Sequence, residues 1–321
     1  MDGGSFRFSE SGPVPQLPNF FIIGAPKSGT TALGVYLGEH PDIFMCDPKE
    51  PQYFTFDLPG HRGVRTWEEY QALFPDQDRN VHAVGEASVW YLYSKVAVQE
   101  IATYRPDARL IVLLRRPDEM VVSLYAQQRQ TGIETAPSFE SAWKLEPIRR
   151  RGQSIPLGCR TPEFLYYRSV ARYHEQLSRV FRVFPREHVK VFLYEDLCKT
   201  PRRVYTEALE FLGVQPDNRQ AFPVINSYAD VYSPRLQSFL TWLLSHARAA
   251  NGKIQSRLGF DLRRIRLHRP IVGTLQSINL NLAAQRAELP QALRQEIIST
   301  YEPDILNLMN LLGCDLTHWL H

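Results

Sequence analysis

Phe20-Phe-Ile-Ile-Gly-Ala-Pro-Lys-Ser-Gly-Thr-Thr31 runs from four consecutive apolar residues, through two glycines, into a helical pattern. The apolar run, bounded by Gly24, is expected to be a buried strand. Thr30 to Glu39 carries Leu33 and Leu37 on one helical face, and His40-Pro41 ends it because proline disfavours helix in the residue before it. A loop in this position offers backbone N–H groups and the positive end of a helix to a phosphate. Gly24 and Gly29 permit close approach of the backbone, and Thr30 and Thr31 add hydroxyl donors.

Outward from this loop, His82 to Glu86, Arg109 to Leu114 and Val189 to Leu193 read as further strands. Helices are expected over Pro117 to about Gln130, Phe164 to Phe184, Pro201 to Leu212 (closed by Gly213) and Pro290 to Leu320. Strands alternating with helices imply an α/β fold: a parallel sheet, P-loop-like at its first strand, flanked by helices on both faces. Residues 1–18, rich in Gly, Ser and Pro, read as a flexible arm before a single domain at 19–321. Within it, 19–213 form the α/β core and 214–321 a mostly helical C-terminal region, with no strand expected beyond about residue 225. The locally basic Arg257 to Arg269 is either a solvated linker or a loop over an anionic ligand.

The loop is unlike that of nucleoside-triphosphate enzymes, G-x-x-x-x-G-K-S/T. Gly24 and Gly29 have that spacing, but Thr30 follows the second glycine, and the lysine, Lys27, precedes it. Such enzymes also hold Mg²⁺ on a carboxylate at the end of a nearby strand. Here Leu110-Ile-Val-Leu-Leu114 ends in Arg115 and Arg116, two cations suited to a second anionic group.

Composition bounds the rest. The chain has 321 residues, 44% hydrophobic and 22% charged, enough for a substantial core, with a net charge of only +3. That small excess speaks against a nucleic-acid partner. The start lacks the basic and apolar regions of a secretory signal, and the apolar runs are too short to span a bilayer. Cys46, Cys159, Cys198 and Cys314 are scattered without metal-ligand spacing and read as free thiols in a reducing compartment. A cytoplasmic protein is expected.

Pro26-Lys-Ser-Gly-Thr-Thr31 resembles the 5′-phosphosulfate loop of sulfotransferases that use 3′-phosphoadenosine 5′-phosphosulfate (PAPS). Arg115-Arg-Pro-Asp-Glu-Met-Val-Val-Ser123 is similar to that family's 3′-phosphate motif, in which an arginine and a serine eight residues later hold the phosphate. Order and separation of the two motifs agree. Lys49-Glu-Pro-Gln-Tyr-Phe54 resembles the Lys-Glu-Pro motif of the glucosaminyl 3-O-sulfotransferases, where the glutamate is the presumed base. Gly85-Glu-Ala-Ser-Val-Trp-Tyr91 resembles their Gly-Glu-Lys segment, with Ala87 in place of the lysine. Tyr173 and Leu177, ahead of Phe184-Pro185, fit the helix before the family's fourth strand. The similarity covers most of 19 to 213.

The resemblance implies transfer of a sulfo group from PAPS to an acceptor hydroxyl by in-line displacement, releasing 3′-phosphoadenosine 5′-phosphate (PAP), without a metal. Lys27, Ser28, Gly29, Thr30, Thr31, Arg115 and Ser123 are the expected donor-binding residues. Lys27 would also stabilise charge on the leaving phosphate, usually the largest catalytic contribution. Glu50 would be the base, unless Lys49 makes it a plain ion pair; Glu86 and His82 are its competitors. Arg116 reads as a surface ion pair, and Trp90, Tyr91 and Tyr93 as core sooner than cleft. Acceptor choice falls to loops such as Thr55 to Asp78 and Thr131 to Glu163. In the second, Arg149-Arg-Arg151 reads as a solvated loop or a basic lid. The acceptor would be a small-molecule, lipid or polyketide, or carbohydrate hydroxyl. Two rival classes share the loop: a phosphotransferase with an atypical phosphate loop, and a non-catalytic adenine-nucleotide module needing no base.

Overall fold

The computed structural model describes residues 16–74, 81–225, 230–231, 236, 238–239, 241, 280–281 and 289–321. At its centre lie five strands: β1 (Phe20–Gly24), β2 (Ile43–Met45), β3 (Ala83–Ala87), β4 (Arg109–Leu114) and β5 (Val189–Leu193). They form one parallel sheet in the order β2-β3-β1-β4-β5. The helices described in full are α1 (Thr30–Gly38), α2 (Trp67–Gln71), α3 (Ala97–Tyr104), α4 (Pro117–Gln130), α5 (Phe139–Arg149), α6 (Tyr167–Val170), α7 (Tyr173–Val183), α8 (Tyr194–Lys199), α9 (Pro201–Leu212) and α10 (Gln291–Leu312).

The unbroken apolar run of β1 follows from burial on both faces, since successive side chains alternate across a sheet. Phe21 and Ile23 pack with Leu110, Val112 and Leu114 beneath Leu124 of α4, Leu177 of α7 and Ile297 of α10. Phe20 and Ile22 pack on the other face with Leu33 and Leu37 of α1 and Leu209 and Leu212 of α9. The chain leaves β1 toward β2 and β3 on one side and reaches β4 and β5 on the other. The C-terminal end of β1 is therefore the point where strand order reverses, the usual place for a ligand crevice in such sheets.

Phe164 to Phe184 is not one helix. It is a 3₁₀ turn (Pro162–Leu165), α6 and α7. Tertiary contacts take the backbone groups a continuous helix would use: Tyr301 donates to the Tyr167 carbonyl at 2.6 Å, and the Gln176 amide donates to the Ser169 and Val170 carbonyls at 3.2 and 2.9 Å. The strand-free C-terminal region is also corrected, because Asp230–Val231 pairs antiparallel with Leu280–Asn281, too short for any periodicity to reveal. The closing helix ends at Leu312, and a 3₁₀ turn (Thr317–Leu320) follows it.

Arg149-Arg-Arg151 is not a lid. Arg149, only 1% exposed, grips the buried Glu134 carboxylate with two bonds of 2.6 Å, and Arg150 pairs with Glu146 at 2.7 Å. Leaving such a buried charge unpaired typically costs about 3–5 kcal/mol, so this pair braces α5 against the turn before it; Thr131 to Glu163, expected as a loop, is thus built around a helix. Of the expected arm, residues 1–15 lie outside the described ones, while the Gln16 amide donates to the Val81 carbonyl at 2.6 Å. The basic stretch 257–269 and residues 75–78 of the first acceptor loop also lie outside them. Among the described residues, no helix is long and apolar enough to cross a membrane.

Candidate active site

A cleft of about 380 Å³ opens at the C-terminal end of β1. Lys27, Gly29, Thr30, Thr31, Glu50, Arg115 and Ser123 all line it, so three stretches far apart in sequence converge there. Ser28 differs: it is fully buried, and its hydroxyl donates to the Pro26 carbonyl at 3.3 Å, so its side chain lines no part of the cleft.

Gly29, at φ 85°, is the N-cap of α1, and no side chain caps that helix end. A Cβ there would come within 2.6 Å of Leu197, so only glycine gives both the turn and the packing against α8. Uncapped N–H groups in the first turn of α1, next to Lys27 and two threonines, are donors of the kind that suit an anion. Arg115 leaves the end of β4 with its guanidinium stacked over the Tyr194 ring (4.3 Å). It also donates to Glu119 at 3.0 and 2.6 Å and to the Lys27 carbonyl at 3.4 Å, which ties it to the loop. Ser123 faces the cleft from the second turn of α4.

Lys27 (φ 59°), Glu50 (φ 62°) and Gln52 (φ 53°) all adopt left-handed backbone, uncommon for residues with a Cβ. Such conformations cost about 1–3 kcal/mol each and persist where surrounding contacts over-determine them. Around Glu50 those contacts are explicit. Its N–H donates to the Ala87 carbonyl at 3.1 Å, the Gln52 N–H to the Ser88 hydroxyl at 3.1 Å, and the Phe54 N–H to the Tyr91 hydroxyl at 3.3 Å. The Lys49 ammonium donates to Glu50 Oε1 at 3.1 Å, and the Gln52 amide approaches Glu50 Oε2 at 3.5 Å. Ion pair and cleft position therefore coexist at Glu50, which is half-buried.

Neither competitor for the base reaches the cleft. His82 is exposed ahead of β3, at the opposite end of the sheet. Glu86 is wholly buried, with Tyr70 donating to one oxygen and Ser88 to the other at 2.5 Å. Burial pushes its carboxyl up to about 7, against the hydrogen bonds from Ser88, Tyr70 and Tyr91 that favour the charged form. Through Ser88 it anchors the segment that carries Glu50, so it positions that segment. Its value lies above the ordinary 4.5, so its contribution to stability is complete at low pH and is lost as pH rises toward about 7. Urea denaturation at about pH 5 and about pH 8 should show wild type losing a few kcal/mol relative to Glu86→Gln. Parallel pH dependence of the two proteins would contradict this.

Arg116 pairs with Asp118 at 2.9 Å and donates to the His321 carbonyl at 2.6 Å, tying down the C-terminus and lining no part of the cleft. Tyr91 is core, but Trp90 does both jobs: buried, it stacks on Phe164 (3.8 Å, 15°), and both line the cleft. Sequence reasoning missed His61, Gln127, Gln130 and Tyr194 there. Gln127 and Gln130 stand four and seven residues after Ser123, on one helical face, a legible signal. His61 carried none. Its ring meets Phe164 edge-on at 4.4 Å, and burial holds its imidazole down to about 4, opposed by the Glu50 charge.

The described sulfotransferase domain matches residues 17–229 of this chain, which contain every one of these cleft residues. A sulfotransferase from Alicyclobacillus acidocaldarius has a similar structure, with a TM-score of 0.67, 28% identity and coverage of 95% of this chain and 99% of that one. The mouse bifunctional heparan sulfate N-deacetylase/N-sulfotransferase 3 is 28% identical over 225 residues, 65% of this chain but 24% of the mouse protein. A membrane-associated sulfotransferase, kil1, of Dictyostelium discoideum is 24% identical, over 77% of this chain and 66% of its own length.

Proposed function

The chain belongs to the sulfotransferase family and is a sulfotransferase enzyme, and on that premise we propose that PAPS is its donor, Glu50 its base and Lys27 its principal charge stabiliser. The observation that carries this is the convergence of Lys27, Thr30, Thr31, Arg115, Ser123 and Glu50 on one cleft. The donor set suits a nucleotide bearing two separate anionic groups. Loop N–H groups, Lys27 and the threonine hydroxyls would hold the 5′-phosphosulfate. Arg115, with Ser123 from α4, would hold the 3′-phosphate through its planar fork. When bound, PAPS supplies an activated sulfo group and a phosphate leaving group.

This chain's residues do the rest. Lys27 faces the negative charge that grows on the leaving phosphate, in a cleft whose lining includes Trp90 and Phe164. Glu50 takes the proton of the acceptor hydroxyl. The backbone contacts to Ala87, Ser88 and Tyr91 fix where its carboxylate stands. A carbohydrate, lipid or polyketide, or small-molecule hydroxyl would fit this chemistry. A cytoplasmic place of action is our reading of four free cysteines.

The test is calorimetric titration with PAP, against ATP plus Mg²⁺. We expect metal-independent binding of PAP, weakened about 10- to 100-fold in Arg115→Ala, as for one lost charged hydrogen-bonding partner. Binding of ATP alone, and only with Mg²⁺, would replace this reading with the phosphotransferase one. PAP binding with no sulfo transfer to any hydroxyl would favour a non-catalytic module.

A further inference from the structure

Lys49 has no role in the scheme above, yet its ammonium occupies the gap between the donor loop and the base. Nζ donates to Thr31 Oγ1 at 2.7 Å and to Glu50 Oε1 at 3.1 Å. Its side chain is about one-third exposed, and both of its partners, Thr31 and Glu50, line the cleft, so the ammonium sits beside the cleft wall. A lysine is a compact charge with three rotatable donors on a flexible stem, able to exchange partners at low cost.

We propose that Lys49 is a further catalytic residue, which holds the sulfo group between donor loop and base as it is transferred. This rests on the readings of Glu50 as base and of the Lys27 loop as the 5′-phosphosulfate site. In the transfer, the bond between sulfur and the phosphate oxygen breaks and its electron pair leaves with PAP. The acceptor oxygen forms the new bond to sulfur, and its proton passes to Glu50. The sulfo oxygens must then lie between Thr31 and Glu50, within reach of the Lys49 ammonium. As Lys49 turns to those oxygens it relinquishes Glu50 Oε1, so donor binding frees the carboxylate lone pair that accepts the proton. The resting ion pair is thereby a latch that opens when the donor is in place.

The sulfo group is present in PAPS and absent from PAP, so binding alone isolates the role of Lys49. Titration of wild type, Lys49→Met and Lys49→Arg with both nucleotides, in the cold and without acceptor, is the experiment. Release of sulfate from PAPS by slow transfer to water is measured alongside. Affinity for PAP should stay within about twofold in all three proteins. Lys49→Met should lose about tenfold or more in PAPS affinity, the effect of one charged hydrogen bond, and release sulfate more slowly. Lys49→Arg should recover most of both. Unchanged PAPS affinity in Lys49→Met would overturn the proposal. So would equal weakening of PAP and PAPS, which would reduce Lys49 to a brace for the loop through Thr31. Glu50→Gln in the same series separates the premises. If that variant still turns over, the base assignment falls while the ratio of PAPS to PAP affinity continues to judge Lys49. If wild type binds neither nucleotide, the donor assignment fails and takes this inference with it.

Discussion

Lys27→Ala is expected to lower turnover about 10²- to 10³-fold, the usual cost of removing one group aimed at charge that develops in the transition state. It should also weaken PAP binding about tenfold, because in the proposed scheme the same ammonium would face the 5′-phosphate before and after transfer. Both effects have one origin. Lys27 is held at φ 59° in the loop between β1 and α1, and its carbonyl accepts from Arg115, so the loop and Arg115 share a scaffold. Calorimetry with PAP and initial rates of sulfo transfer would check the pair of effects. A variant that keeps wild-type turnover would show that the first-turn N–H groups of α1 stabilise the leaving phosphate unaided.

Glu50→Gln should separate the two quantities. Turnover is expected to fall about 10²- to 10⁴-fold, the range spanned by a positioned general base, with PAP affinity within about twofold of wild type. Glutamine preserves shape, and the backbone bonds of residues 50, 52 and 54 to the end of β3 hold the segment in place. The substitution therefore removes proton acceptance and little else. Loss of PAP binding together with turnover would instead make Glu50 a structural member of the cleft. Retained turnover would shift the search for the base to other cleft residues, of which His61 is the neutral imidazole in view of Glu50.

Much of the cleft wall formed by the first loop and by the start of α4 was legible because its signals are local. Phe20 to Thr31 joins strand, loop and helix within twelve residues, and Arg115 to Ser123 joins strand end and helix within nine. The Ser28 side chain turns inward to the Pro26 carbonyl, which a loop's sequence does not reveal. The acceptor half was largely silent. His61 enters the cleft from a loop and Phe164 from a 3₁₀ turn, and their place depends on which aromatic neighbours they meet. Arg149 looked like surface because its partner, Glu134, lies fifteen residues away, and no spacing rule pairs residues across a turn.

By itself, the sequence determined an α/β sheet with both faces covered, a glycine-bounded loop after the first strand, and the identities of the cations and the carboxylate that line the cleft. Periodicity and short motifs encode these, since backbone geometry repeats every two or every 3.6 residues. Only the tertiary structure decided that Glu50, and neither Glu86 nor His82, shares a cleft with Lys27, and that Lys49 bridges Thr31 and Glu50. The physical reason lies in the sheet order. With β1 between β3 and β4, the ends of all three strands meet at one edge, and the segment after β2 docks onto the end of β3. Long-range hydrogen bonds set that docking, and they leave no local trace in the chain.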